Sequence, residues 1–206
     1  MMQDALVLLS LFVIDSLAIV SPGPNILLVV RAAAEQDRRG ALLIALGLAT
    51  AGAMWASIAV SGLTTIFEAL PSLQTAIRIA GAAYLFYIAV RLWRSRSGPP
   101  SEVAAAPAAA RPAHKALLHG FVTSLLNPKS LAYFASIFVL LVPADARPSL
   151  RIAAVALVFF NALLWYGLAA WLFSTQRVIR GYLALRRPID RACATLIAAF
   201  GVKLML

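Results

Sequence analysis

Six long apolar runs dominate this chain, at 5–30, 41–67, 77–93, 116–142, 150–173 and 192–206. A helix needs about 20 apolar residues to cross the roughly 30 Å hydrocarbon core of a bilayer, so most of the runs are long enough to span it and the last is short. The other spanning architecture, a closed β-barrel, shows alternating segments of about ten residues rather than continuous runs. The expectation is therefore an all-α polytopic membrane protein with six transmembrane helices. Only 13% of the residues are charged, against roughly 25% in an average soluble domain, and 62% are hydrophobic.

A net charge of +10 would suit a nucleic-acid partner, but its placement points elsewhere. Arg31, Arg38 and Arg39 follow the first run; Arg91, Arg94, Arg96, Arg111 and Lys115 follow the third; Arg177, Arg180, Arg186, Arg187 and Arg191 follow the fifth. These loops hold 13 of the 18 basic residues, leaving Arg78, Arg147, Arg151 and Lys203 opposite and Lys129 inside a run. Basic loops stay in the cytoplasm, which places both termini outside. The excess then serves orientation and contact with membrane lipid, and no nucleic-acid partner is expected. The first run, with Asp4 and no early Lys or Arg, is too long for the apolar region of a cleaved signal and is expected to be retained. Cys193 is the only cysteine, so an internal disulfide or CxxC pair is excluded.

A segment rich in proline and small residues, SRSGPPSEVAAAPAAARPA from Ser95, has little to bury and reads as a flexible cytoplasmic linker. It divides one transporter-sized domain, 1–206, into 1–94 and 115–206, with the linker at 95–114. Three spans per half turn the second half upside down relative to the first, the arithmetic of two inverted three-helix repeats. Both halves open on an interrupted run, with SPGPN at 21–25 in helix 1 and NPKS at 127–130 in helix 4. A proline inside a helix costs about 3 kcal/mol or more, so both helices are expected to be broken.

A half-helix that starts inside the membrane leaves unpaired N–H groups and the positive end of its dipole at that depth, which suits a carboxylate. Ser21 is placed to cap such a helix, with Pro22 at its first position. Gly23 permits close approach, Pro24 completes the break, and Asn25 both donates and accepts hydrogen bonds. A proline kink that only shapes the bundle is the plain alternative. Two interruptions in corresponding helices, with Asn25 at one and Asn127, Pro128 and Lys129 at the other, favour a substrate site. Lys129 lies about thirteen residues from either end of its run; a cation at depth marks function unless it snorkels to an interface. Asp15, six residues before Ser21 and so about 9 Å away along a helix, is near enough to serve the same cavity. It can pair with Lys129, bind an ammonium group or carry a proton.

Several other residues have plainer readings. Asn161 suits a hydrogen bond between two helices, and Gly40, Gly47, Gly52, Gly81 and Ala82 suit close helix packing. The tryptophans 55, 93, 165 and 171 read as interfacial belt or packing. His114 and His119 lack the partners of a metal site, so no metal or cofactor is expected. No GxSxG, HExxH or P-loop is present, which argues against an enzyme.

Together SPGPN at 21–25, GAAYLFYIAVRLWR at 81–94 and NPKS at 127–130 resemble the LysE/RhtB family of bacterial amino-acid exporters, in order and spacing over essentially the whole chain. The resemblance implies a six-helix inner-membrane exporter of amino acids or related metabolites, driven by the proton gradient. Ser21, Pro22, Gly23, Pro24 and Asn25 match the family's first motif, and Asn127, Pro128 and Lys129 its second. Asp15 matches no signature, and the second span lacks the acidic residue that many members carry after a glycine. A membrane-embedded enzyme acting on a small amphipathic substrate and a non-transporting membrane subunit are the alternatives. A homodimer is the assembly considered.

Overall fold

The computed structural model describes residues 2–20, 23–34, 37–63, 112–138, 141–143 and 146–175 continuously, and isolated positions between 79 and 94 and between 178 and 202. Ser21, Pro22, Cys193, the linker up to residue 111 and most of the third and sixth runs lie outside the described residues. Among the described residues every regular element is helical: α1 Met2–Val20, α2 Pro24–Ala34, α3 Arg38–Ile58, α4 Ala113–Leu125, α5 Pro128–Ala132 and α6 Pro148–Leu172. π-Helical turns extend α3 over Ala59–Leu63 and α5 over Tyr133–Phe138. Three stretches among them are long and apolar enough to cross a membrane, Gln3–Val20, Arg38–Ser61 and Pro148–Leu172.

Local chemistry sets the helix starts. Asp37 caps α3 by accepting the Gly40 N–H at 2.8 Å. A side chain at Gly40 would collide with that carboxylate, so this glycine serves the cap rather than helix packing. Pro148 occupies the first turn of α6, where its missing N–H costs nothing. Helix α2 starts at Pro24, with the Gly23 carbonyl accepting the Leu27 N–H at 3.1 Å. Pro24, the second proline of SPGPN, therefore takes the first position of α2, while Pro22, expected at such a position, lies outside the described residues.

Cross-links fix the helix directions. Asp4 pairs with Arg147 near the starts of α1 and α6, and further along the same helices Asn161 donates to Asp15 at 2.8 Å and Trp165 to Ser16 at 3.1 Å. These helices run parallel. Arg38 donates to Ser174 at 3.1 Å, while Arg151 reaches the Val60 carbonyl at 3.3 Å, so α3 runs antiparallel to α6. Asp4 and Arg147 thus mark one end of the bundle, and Arg38 and Ser174 the other.

Many small residues face inward, and many large apolar ones face outward. Ala41, Ala45, Ala49 and Ala51 are fully buried, whereas Leu9, Ile152, Phe160 and Trp171 are exposed. In water such a surface invites association; in hydrocarbon it is matched to its solvent, and close backbone packing drives helices together instead. That packing is tightest where α3 crosses α4. A Cβ at Gly47 would lie 2.8 Å from the Phe121 nitrogen, and one at Gly120 2.9 Å from the Ile44 carbonyl carbon. Only glycine permits this approach from both sides.

Two apolar clusters result. Leu11, Ile14, Val60, Phe138, Ala154 and Val158 belong to one, and Ile26, Val29, Ile44, Leu48, Ala116 and Ala169 to the other.

Candidate functional site

Among the described residues, five polar ones are buried: Asp15, Asn25, Ser124, Asn127 and Asn161. Taking such groups out of water is tolerable only when they are hydrogen-bonded, so their partners reveal how the site is built.

Asn127 is the one extended residue between α4 and α5, with φ −73° and ψ 115°. Its side-chain oxygen accepts the Lys129 N–H at 3.0 Å and caps α5, whose first turn carries Pro128. A backbone N–H only donates, so this cap fixes the orientation of the amide. Its nitrogen must then point the other way, and it donates to the Asn25 side-chain oxygen at 2.8 Å. The Asn25 nitrogen in turn donates to Ser124 Oγ at 3.2 Å and to the Tyr166 hydroxyl at 3.4 Å. One side-chain bond therefore ties the start of α2 to the start of α5, across 102 positions of sequence.

A second polar group lies on α1 and α6. Asn161 donates to Asp15 and accepts from Ser16 at 3.2 Å, and Trp165 donates to Ser16. The expected helix-joining role of Asn161 is thus met, and in meeting it Asn161 also holds the Asp15 carboxyl in place.

Between the two groups is a cavity of about 50 Å³, lined by Asp15, Gly23, Asn25, Asn127 and Lys129 together with Ser124, Ser130, Tyr133 and Tyr166. It has room for a few water molecules or a small polar head. Gly52, Phe134, Val158 and Ala162 contribute apolar wall. The Tyr133 hydroxyl is buried in the cavity wall and interacts with the Asp15 carboxyl.

Five residues singled out from the sequence, Asp15, Gly23, Asn25, Asn127 and Lys129, are thus brought to one cavity. Pro24 is exposed and acts through the backbone as the first residue of α2, a position that Pro128 shares in α5. Ser21 and Pro22 lie outside the described residues. Sequence reasoning missed Tyr133, Ser124 and Tyr166, and assigned Gly52 to helix packing when it lies in the cavity wall. Helical spacing held a signal for two of them: Ser124 precedes Asn127 by three positions, and Tyr133 follows Lys129 by four.

Comparison with known proteins bears on the whole chain. A family model described as LysE type translocator matches residues 16–206. The chain is 31% identical over 199 residues to the threonine efflux protein of Escherichia coli (strain K12), covering 96% of this chain and 97% of that protein. It is 31% identical over 190 residues to the threonine efflux protein of Salmonella typhi, covering 92% of each. It is also 29% identical over 185 residues to the uncharacterized membrane protein YahN of E. coli (strain K12), covering 90% of this chain and 82% of that one. No solved structure matches it.

Proposed function

The chain belongs to the LysE family of translocators, a family of transporters and not of enzymes, and on that premise we propose that it exports amino acids or closely related metabolites across the bacterial cytoplasmic membrane by proton antiport. The observation that carries this reading is the 2.8 Å bond between Asn25 and Asn127 at the edge of a cavity shared with Asp15 and Lys129. Relatives whose names state threonine efflux make threonine and its neighbours in size the first substrates to test.

The substrate's carboxylate sits against the first turn of α2 or against Lys129, where helix N–H groups and a cation favour negative charge. Its ammonium meets the Asp15 carboxyl, with the Tyr133 hydroxyl as a second partner. A proton and an ammonium group compete for one carboxylate. A proton arriving at Asp15 from outside releases the substrate there, and the next ammonium bound from the cytoplasm releases that proton inward. Alternating exposure of the cavity completes the antiport cycle.

The reading includes two inverted three-helix repeats. Gly23-Pro24-Asn25 and Asn127-Pro128-Lys129 support it, because each places proline at the first position of a helix that begins beside the cavity. In this scheme α1 with α2, and α4 with α5, are the two broken spans. The end bearing Arg38 and Ser174 faces the cytoplasm, and the end bearing Asp4 and Arg147 faces outward, in keeping with the basic loops.

The test is efflux of labelled amino acids from proteoliposomes under an imposed pH gradient. Asn25→Ala combined with Asn127→Ala, and Lys129→Ala alone, are expected to abolish efflux. Asp15→Asn is expected to remove the response to the gradient. Wild-type rates from the first two variants would refute the site, and gradient-driven efflux by Asp15→Asn would refute the coupling.

A further inference from the structure

Glycines along the described bundle meet different neighbours. A Cβ at Gly47 or Gly120 would strike the backbone of the crossing helix. A Cβ at Gly52 would lie 3.5 Å from Val158 Cγ1 and 4.0 Å from Phe134 Cζ, which is ordinary contact with two side chains. Gly52, Val158 and Phe134 all line the cavity. The methyl missing at position 52 would therefore sit against two side chains of the cavity wall rather than against the backbone of a crossing helix.

Backbone geometry does not explain this glycine either. Gly52 lies within α3, a regular helix in which alanine is the better helix former. An alanine would fit at once, and what it would take is a methyl group's share of a cavity of about 50 Å³. Phe134 is also braced: its ring packs edge-on against Tyr133 at a centroid distance of 4.8 Å, so it does not swing aside freely.

We infer that Gly52, Val158 and Phe134 form the wall facing the side chain of the transported amino acid, and that the absent Cβ at Gly52 sets how large that side chain can be. This rests on the export reading above and gives it a substrate class: amino acids with short side chains, such as those of serine and threonine. The Tyr133 hydroxyl, next to Phe134 in sequence and packed against it, gives the same wall a polar edge.

Serine and threonine differ by one methyl group and so measure the limit directly. Efflux of glycine, serine, threonine and leucine is followed from proteoliposomes holding the full chain, as wild type, Gly52→Ala, Val158→Ala and Gly167→Ala. Gly167 has nothing within 4 Å of its would-be Cβ and controls for the substitution itself. A methyl-sized mismatch in an apolar pocket is worth roughly tenfold or more in discrimination. Gly52→Ala is expected to lower the threonine-to-serine rate ratio at least about tenfold, Val158→Ala to raise it, and Gly167→Ala to leave it unchanged. An unchanged ratio in folded Gly52→Ala, or an equal shift in Gly167→Ala, overturns the inference while leaving the export reading intact. A wild-type protein that moves none of the four overturns both.

Discussion

Replacing Gly120 by alanine tests whether the α3–α4 crossing sets the geometry of the site. The new Cβ would lie 2.9 Å from the Ile44 carbonyl carbon and 3.0 Å from its Cα, with the carbonyl oxygen nearer still. These are backbone atoms of a buried helix, and no rotamer change removes them. Restoring ordinary contact separates the helices by about 1 Å, and overpacking of this kind costs about 1–3 kcal/mol. The damage reaches the cavity. Ser124 lies one turn beyond Gly120 and receives the Asn25 amide at 3.2 Å, so a displacement of that size takes the pair out of hydrogen-bond range. Gly120→Ala is thus expected to lose about 1–3 kcal/mol in an SDS titration of the purified protein and most of its efflux activity. Gly47→Ala should behave alike. Because both methyls act on the same gap, the double variant should cost less than the two single costs together. Gly167→Ala, the same change in open space, should be neutral or stabilising by up to about 1 kcal/mol. A Gly120→Ala protein as stable as this control, or strict additivity in the double variant, would refute the reasoning.

Asn127→Asp keeps the oxygen that caps α5 but lacks the amide that reaches Asn25, so helicity by circular dichroism should persist while efflux falls roughly tenfold. Asn127→Leu loses the cap as well and should cost about 1 kcal/mol more in stability. Tyr133→Phe removes a hydroxyl that lies in the cavity wall beside Asp15, so efflux should drop; unchanged efflux would exclude the hydroxyl as a substrate contact. For orientation, Cys193→Ala removes the only cysteine, after which Ser149→Cys near the start of α6 and Thr175→Cys beyond its end can be compared on intact cells. An impermeant maleimide is expected to label Ser149→Cys and not Thr175→Cys, and the reverse pattern would invert the proposed topology.

The helices were legible from sequence because hydrocarbon leaves the backbone few choices: every N–H and C=O in a spanning segment must be satisfied within it. The start of α2 was legible only to within two residues. SPGPN offers two prolines, each suited to the first helical position, and no local rule chooses between them. The chain uses Pro24, which puts Asn25 at the second position of its helix, the same register that Lys129 takes behind Pro128. Asp15, Asn25, Asn127 and Lys129 stood out because polar side chains in apolar runs are costly and therefore few. Tyr133, Ser124 and Tyr166 did not, since such residues are common in membrane helices and only their neighbours give them meaning. Gly40, Gly47 and Gly52 looked alike in sequence. Against their surroundings they divide into a cap, a helix crossing and a cavity wall.

The two polar groups beside the cavity differ in what they ask of a ligand. The Asn25 amide and the Asn127 carbonyl are already engaged, the first with Ser124 and Tyr166 and the second with the Lys129 N–H. A carboxylate that recruits the Asn25 amide must exchange one hydrogen bond for another, and such an exchange nets little free energy. At the Asp15 end an ammonium group meets an ionisable carboxyl held by Asn161 and beside Tyr133, and a charge-assisted hydrogen bond is roughly twice as strong as a neutral one. The Asp15 end should therefore add a gain on binding that the Asn25 amide does not. In the proposed antiport cycle that is the end where a proton competes with the substrate, and so the end at which a proton gradient would drive release.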